Sequence, residues 1–250
     1  MSPEYKIRLL LILIRSFVKL PQSLINNLRD AMKSKRPSTA NYRPSFVEEQ
    51  KLAKRGCRLI AGIDEVGRGP LAGPVMAAAV ILPLDLKTPW LHLVRDSKQL
   101  SEKMREQLFP LIYKSAIAVG IGEVSAEAID EHGIARATKI AMRQAVNNLG
   151  TPPDALLIDF VRLPEINLPQ RCIPKGDCKS ISIACASIIA KVTRDRFMIE
   201  LDKIYPGYGF AGHKGYATRE HLESIGRLGA CPIHRKSFAP FRLALDLGNL

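Results

Sequence analysis

Two adjacent carboxylates, Asp64 and Glu65, close an apolar run, Leu59–Ile63, and a glycine-flanked arginine, Gly67-Arg68-Gly69, follows almost at once. Burying neighbouring carboxylates is costly unless a cation compensates them. Asp159 repeats the arrangement at the end of a second apolar run, Ala155–Ile158. A fourth acid stands in a helical pattern: Ile181, Ile188, Val192, Asp195 and Ile199 share one face, at offsets of seven, four, three and four. Asp195 thus interrupts an apolar stripe. An ion pair with Lys191, Arg194 or Arg196 is the plain explanation, but this reading of the wheel points those cations elsewhere. Asp64, Glu65, Asp159 and Asp195 together would make an all-oxygen site without His or Cys. Such a site suits Mg²⁺ or Mn²⁺ rather than Zn²⁺. Two such ions can clamp the attacking and leaving oxygens of an in-line phosphoryl displacement. The chemistry expected is phosphodiester hydrolysis by a metal-activated water, with no protein nucleophile.

The glycines around Arg68 let the backbone approach a ligand closely, with a guanidinium at hand for a phosphate. Tyr216 offers a flat face to a sugar, with a core tyrosine as the alternative. Lys175 and Lys179 are candidate phosphate contacts, while His213 is read as a solvated loop histidine outside the catalytic set. A formal net charge of +13 agrees with a polyanionic partner. Much of that charge sits in residues 1–45, where nine Lys/Arg face only Glu4 and Asp30, a net of +7. The folded remainder carries the other +6 of the +13.

Elements that could position these residues follow from the periodicities. Apolar runs at Leu59–Asp64, Val75–Leu82, Ala116–Val124 and Ala155–Asp159 read as strands, with a short fifth at Arg171–Pro174. Helical patterns cover Glu48–Arg55, a segment capped by Ser101 and running to about Tyr113, and one capped by Ser125 that reaches toward Leu149 with a break near Gly133. Further helices are expected at Lys179–Ile204 and Thr218–Leu228, on either side of a turn-rich stretch at Pro206–Ala217. Strands first, then helices alternating with strands, predict an α/β domain with a mixed sheet.

The domain is expected to begin near residue 46 and run to 250. Residues 1–45 read as a basic extension, poorly ordered or partly helical, ending in a Pro/Ser/Lys/Arg linker. Leu9–Ile14 is apolar but bracketed by Arg8 and Arg15, too short to span a bilayer. An amphipathic surface helix over residues 5–20 is the alternative, and no stable membrane insertion is expected. The five cysteines, an odd number with no C-x-x-C pair, fit a reduced cytoplasmic protein.

At these landmarks the chain resembles the bacterial ribonuclease HII family, from about Phe46 to Leu245. The resemblance rests on Ala61-Gly62-Ile63-Asp64-Glu65-Val66-Gly67-Arg68-Gly69-Pro70, Asp96-Ser97-Lys98-Gln99-Leu100-Ser101 and Leu157-Ile158-Asp159. It continues through Lys175-Gly176-Asp177, Ala190-Lys191-Val192-Thr193-Arg194-Asp195, Tyr208-Gly209-Phe210, His213-Lys214-Gly215-Tyr216 and His234-Arg235-Lys236-Ser237-Phe238. It implies a ribonuclease H-like fold, a central mixed sheet flanked by helices with a C-terminal helical portion. It also implies endonucleolytic cleavage of RNA in RNA–DNA hybrids and at ribonucleotides embedded in duplex DNA, leaving 3′-hydroxyl and 5′-phosphate ends. By the same resemblance the metal-site acids are Asp64, Glu65, Asp159 and Asp195, the ribose-sensing segment is Gly67, Arg68 and Gly69, and Tyr216 stacks on the neighbouring deoxyribose. The protein would act as a monomer with Mn²⁺ or Mg²⁺. Phe160 stands where the family usually has glycine, and Cys178 where serine is common. Two rivals share the acids: a catalytically silent nucleic-acid binder of the same fold, and a nuclease or recombinase indifferent to the 2′-hydroxyl.

Overall fold

The computed structural model describes residues 43–239 and 241. Apart from residues 43–45, the basic extension and the amphipathic stretch expected at 5–20 lie outside the described residues.

Five strands form one sheet in the order β3-β2-β1-β4-β5. They are β1 (Ile60–Val66), β2 (Val75–Ile81), β3 (Ala118–Val124), β4 (Ala155–Asp159) and β5 (Gln170–Ile173). β1, β2 and β3 pair antiparallel, whereas β4 and β5 run parallel to β1, so the sheet is mixed as expected. The helices of the described chain are α1 (Val47–Ala53), α2 (Glu102–Ser115), α3 (Ala126–His132), α4 (Ile134–Asn147), α5 (Ile181–Ile204), α6 (Phe210–His213) and α7 (Arg219–Leu228). Short 3-10 turns at Pro89–Leu93, Ser97–Gln99 and Gly176–Cys178 were not visible as apolar periodicity.

Alternation along β2 divides the core. Ala77, Ala79 and Ile81 pack with α3 and α4 on one face, and Ala78 and Val80 pack with α2 and α5 on the other. α5 lies so close to β1 that a Cβ on Gly62 would collide with the backbone of Ser182 and Ile183. Residues 181–190 of α5 are therefore buried on every side. Ser180 caps α5 by accepting the Ile183 amide at 3.2 Å. Glu49 of α1, only 1% exposed, adds a carboxylate there, accepting from Ser180 Oγ at 2.7 Å and the Ser182 amide at 2.9 Å. No helix among the described residues is long and apolar enough to cross a membrane.

Candidate active site

The parallel register of β1 and β4 matches Ile63 with Ile158, which sets Asp64 and Asp159 side by side one residue further on. Pairing of β1 with β2 continues through Val66, so Glu65 stays within a regular strand, where successive side chains face opposite sides. Glu65 nevertheless joins the same field: Asp159 and Lys98 both act on its carboxyl. Asp64 Oδ1 accepts the Glu65 amide at 2.8 Å, and the Ser187 hydroxyl of α5 bonds the Asp64 carboxyl. Ser187 in turn meets Ser97 at 2.9 Å, which ties the 3-10 turn of Asp96-Ser97-Lys98 to the acids.

β5 extends the site. Its parallel pairing with β4 places Ile173 opposite Asp159, and the chain just beyond is Pro174-Lys175-Gly176-Asp177. The Gly176 amide donates to Asp159 Oδ1 at 2.8 Å, so Asp177 is delivered to the same strand ends. Burial pushes the Asp64 carboxyl well above its ordinary pKa, and the charges of Glu65 and Asp159 add to the effect. Glu65 is raised by burial against the opposing pull of Arg68, and Asp177 is raised by burial and by Asp96 and Asp159. Lys98 sits among them. Burial works against its charge, but Asp96, Asp64, Asp177 and Glu65 outweigh that and raise its pKa. Asp96, Asp177 and Cys178 also bring donor atoms within 4.8 Å of one another.

Asp195 is placed differently from the expectation. Lys191 Nζ lies 2.7 Å from its Oδ1, and Arg105 approaches Oδ2 at 3.9 Å. Lys191 precedes Asp195 by four residues and therefore shares its face of the helix, contrary to the expectation. Asp195 also lies eight residues beyond Ser187, about 12 Å along the axis of α5. Asp177 instead feels the charge of Asp159 and shares Lys98 with Asp64 and Glu65. Asp177 thus joins the cluster as an acid that the sequence reading did not assign to it. A sequence signal for it existed: an acid just past a strand parallel to the Asp159 strand.

The Gly67-Arg68-Gly69 segment is shaped from below by two fully buried arginines. Arg235 donates to Gly67 O at 2.6 Å, Arg68 O at 3.0 Å and Gly73 O at 2.8 and 3.0 Å. Arg194 donates to Pro74 O at 2.9 Å, Ala72 O at 3.1 Å and Lys214 O at 3.0 Å. Neither has a carboxylate partner among the ion pairs of the described residues. Burial lowers Arg235 to about 9 and Arg194 to about 10. Gly67 has φ 88°, and a Cβ there would strike the Arg194 guanidinium. A Cβ on Gly69 would meet only Tyr216 Cε1, at 3.8 Å, so the fold itself does not demand glycine there.

Arg68 is half-exposed and lies 3.5 Å from Glu65 Oε1. Tyr216 is 42% exposed beside Gly69, not a core tyrosine. Lys175 is exposed with φ 55°, and Lys179, also exposed, donates to Pro174 O at 2.9 Å. Phe160 adopts φ 62° and is 71% exposed, inside a tight turn closed by Val161 N–H to Asp159 O at 2.7 Å.

Acids gathered where adjacent strands of a mixed sheet end, beside a glycine-flanked arginine, define a metal-dependent nuclease. The family model described as Ribonuclease HII matches residues 61–241. A ribonuclease HII of Dehalococcoides mccartyi is 54% identical over 81% of this chain and 96% of its own length. One of Acetivibrio thermocellus is 57% identical over 79% of this chain and 76% of its own. Among solved structures, the ribonuclease H2 of Pyrococcus horikoshii OT3 matches with a TM-score of 0.62 and 27% identity, covering 75% of this chain and 97% of that one. The chain belongs to the ribonuclease HII family. It has the ribonuclease H-like fold and is a metal-dependent hydrolytic nuclease with ribonuclease H activity on RNA–DNA hybrids.

Proposed function

We propose that this enzyme cuts both the RNA strand of hybrids and single ribonucleotides embedded in duplex DNA, by two-metal-ion hydrolysis that leaves 3′-hydroxyl and 5′-phosphate ends. One observation carries this reading: the Gly67-Arg68-Gly69 backbone, with Tyr216 against Gly69, adjoins the acid cluster through Arg68 and Glu65. A reader of a single ribose is thereby coupled to the hydrolytic centre. Telling RNA from DNA requires sensing the 2′-hydroxyl. The open space over Gly69 admits a sugar to backbone contact, and the exposed Tyr216 ring offers a surface for the next one.

The acids fit a divalent cation. Glu65 Oε2 is buried without a hydrogen-bond partner, and Asp64, Glu65 and Asp177 all hold protons more tightly than ordinary carboxyls. We assign Asp64, Glu65, Asp159 and Asp177 as the residues that would hold Mg²⁺ or Mn²⁺, with Asp195 in an ion pair beside them. When bound, the metal supplies Lewis acidity at the phosphate and makes water acidic enough to attack. The chain does the rest. Arg68, Lys175 and Lys179 bind phosphates, Gly67 and Gly69 bring backbone to the ribose, and Lys98 balances the charge of the acids. The reading extends to a cytoplasmic monomer, with residues 1–45 as an extension to a catalytic domain at 46–250. The five free cysteines agree with a reducing compartment.

The test is a DNA duplex with one ribonucleotide, a long hybrid and an all-DNA duplex, each incubated with Mg²⁺ or Mn²⁺. The first two should be cut, leaving 3′-hydroxyl and 5′-phosphate ends, and the third left intact. Equal cutting of the all-DNA duplex, or binding of the first without cleavage, would overturn the reading.

A further inference from the structure

Three histidines lie under the Tyr216 loop. His221 is fully buried, His234 is 2% exposed, and His213 stacks on His221 with ring centroids 4.3 Å apart. Phe210 meets all three rings at 5.4 to 5.9 Å.

Their hydrogen bonds determine where each proton sits. An amide N–H can only donate, so the Cys231 amide at 2.9 Å makes His234 Nδ1 an acceptor. The longer 3.3 Å approach of that nitrogen to Cys231 O is then no hydrogen bond, and that carbonyl already accepts the His234 amide. A neutral His234 thus carries its proton on Nε2, which faces His221 Nε2 at 3.1 Å. Only one proton fits between two ring nitrogens at that separation. His221 Nε2 therefore accepts, its proton is on Nδ1, and Nδ1 donates to the Tyr216 carbonyl at 2.8 Å. The same logic applies to His213. It accepts the Gly215 amide on Nδ1 at 3.1 Å and donates from Nε2 to Tyr208 O at 2.7 Å. One polarised chain runs from the Cys231 amide through two rings to the backbone of Tyr216, and a parallel link holds Gly215.

We propose that His221 and His234, braced by His213, are positioning residues that fix the Tyr216 backbone and so aim its ring at the sugar beside Gly69. The inference rests on the reading of Tyr216 as a sugar contact. The chain conducts in one sense only with all rings neutral, because a second proton would set N–H against N–H across 3.1 Å. Burial favours the neutral form: it lowers His221, and it lowers His234 to about 4, with the charges of neighbouring histidines adding to the effect. The surrounding charges do not reverse this. Glu220 of α7 lies alongside Gly209 and His213, while Lys214 sits in the loop itself. The guanidinium of Arg194 from α5 binds the Lys214 carbonyl, and that of Arg235 is turned onto Gly67, Arg68 and Gly73. Among the described residues Tyr208 and Cys231 are further titratable neighbours, and burial raises both.

The test is a double-mutant cycle on a ribonucleotide-containing duplex, with KM and kcat read separately. Tyr216→Ala should raise KM. His221→Phe should raise KM roughly tenfold, the worth of one buried hydrogen bond. The double variant should do no worse than Tyr216→Ala alone. His221→Asn, whose amide reaches the Nδ1 position, should restore most of the affinity, and its KM should rise less on acidification than that of the parent, whose rings protonate only below the ordinary histidine range, toward about 4 for His234. If Tyr216→Ala leaves KM unchanged, the sugar-contact reading fails and takes this inference with it. If Tyr216→Ala raises KM but His221→Phe does not, or if the two losses add in full, the sugar contact stands and the relay is refuted. Should His221→Phe not fold, His221→Asn against His221→Gln decides the matter, since glutamine puts its amide at Nε2 instead. Equal KM in those two variants contradicts the proposal.

Discussion

Asp159 and Gly176 are joined side chain to backbone, Oδ1 accepting the amide at 2.8 Å. That bond carries the residue after Gly176, Asp177, toward the end of β4 and places one more acid beside Asp159. Burial, with the like charge of neighbouring acids adding to it, makes Asp64, Glu65 and Asp177 hold their protons more tightly than ordinary carboxyls. The sign follows directly. Raised pKa values mean that protons compete with the cation increasingly as pH falls, so divalent metal affinity should drop on acidification and binding should release protons. Calorimetric titration of Mn²⁺ in buffers of different ionisation enthalpy reads both. Proton-free, pH-independent binding would contradict the arrangement.

Arg235 shapes the Gly67-Arg68-Gly69 segment through carbonyls alone. Arg235→Met should leave buried acceptors without a donor and cost about 3 kcal/mol of stability. Arg235→Lys keeps the charge but loses the fork and should fall between the two. Urea denaturation gives the order. A methionine variant as stable as the parent would show that the segment holds its shape unaided.

Phe160 is a non-glycine residue at positive φ whose side chain is mostly in solvent. Replacing it with glycine relieves backbone strain and forfeits little burial. Phe160→Gly should therefore gain on the order of 1 kcal/mol, a rise in Tm of roughly 2–4 °C. An unchanged or lower Tm would mean that the turn is not strained.

Much of this was legible in local patterns. β4 runs from Ala155 to Asp159 as its apolar run implied, Ser101 and Ser125 cap helices, and Gly133 breaks the helical stretch between Ser125 and Leu149. These features depend on residues a few positions apart. The choice between Asp177 and Asp195 does not. Asp177 reaches the cluster through the parallel pairing of β4 with β5, a contact between distant segments that periodicity does not encode. Asp195 drew attention as a flaw in an apolar stripe, yet the first half of α5 is buried all round, so no single stripe marks the face toward the acids. His213 was set aside because loop histidines are usually solvated. Its Nδ1 instead accepts the Gly215 amide, and its ring stacks on His221, a contact that exists only once α6 and α7 are folded against each other.

The central claim concerns which four acids hold the metals, and paired substitutions address it most directly. Asp177→Asn and Asp195→Asn should be compared for turnover of a ribonucleotide-containing duplex at saturating Mn²⁺, with folding checked by thermal denaturation. Loss of a residue one step removed from a metal already costs about 10–100-fold. Asp177→Asn should lose at least about 100-fold while staying folded and binding duplex, and Asp195→Asn should keep most of its turnover, with its principal cost in stability from the stranded Lys191 and Arg105. The opposite pattern, Asp177→Asn active and Asp195→Asn folded but silent, would contradict the account.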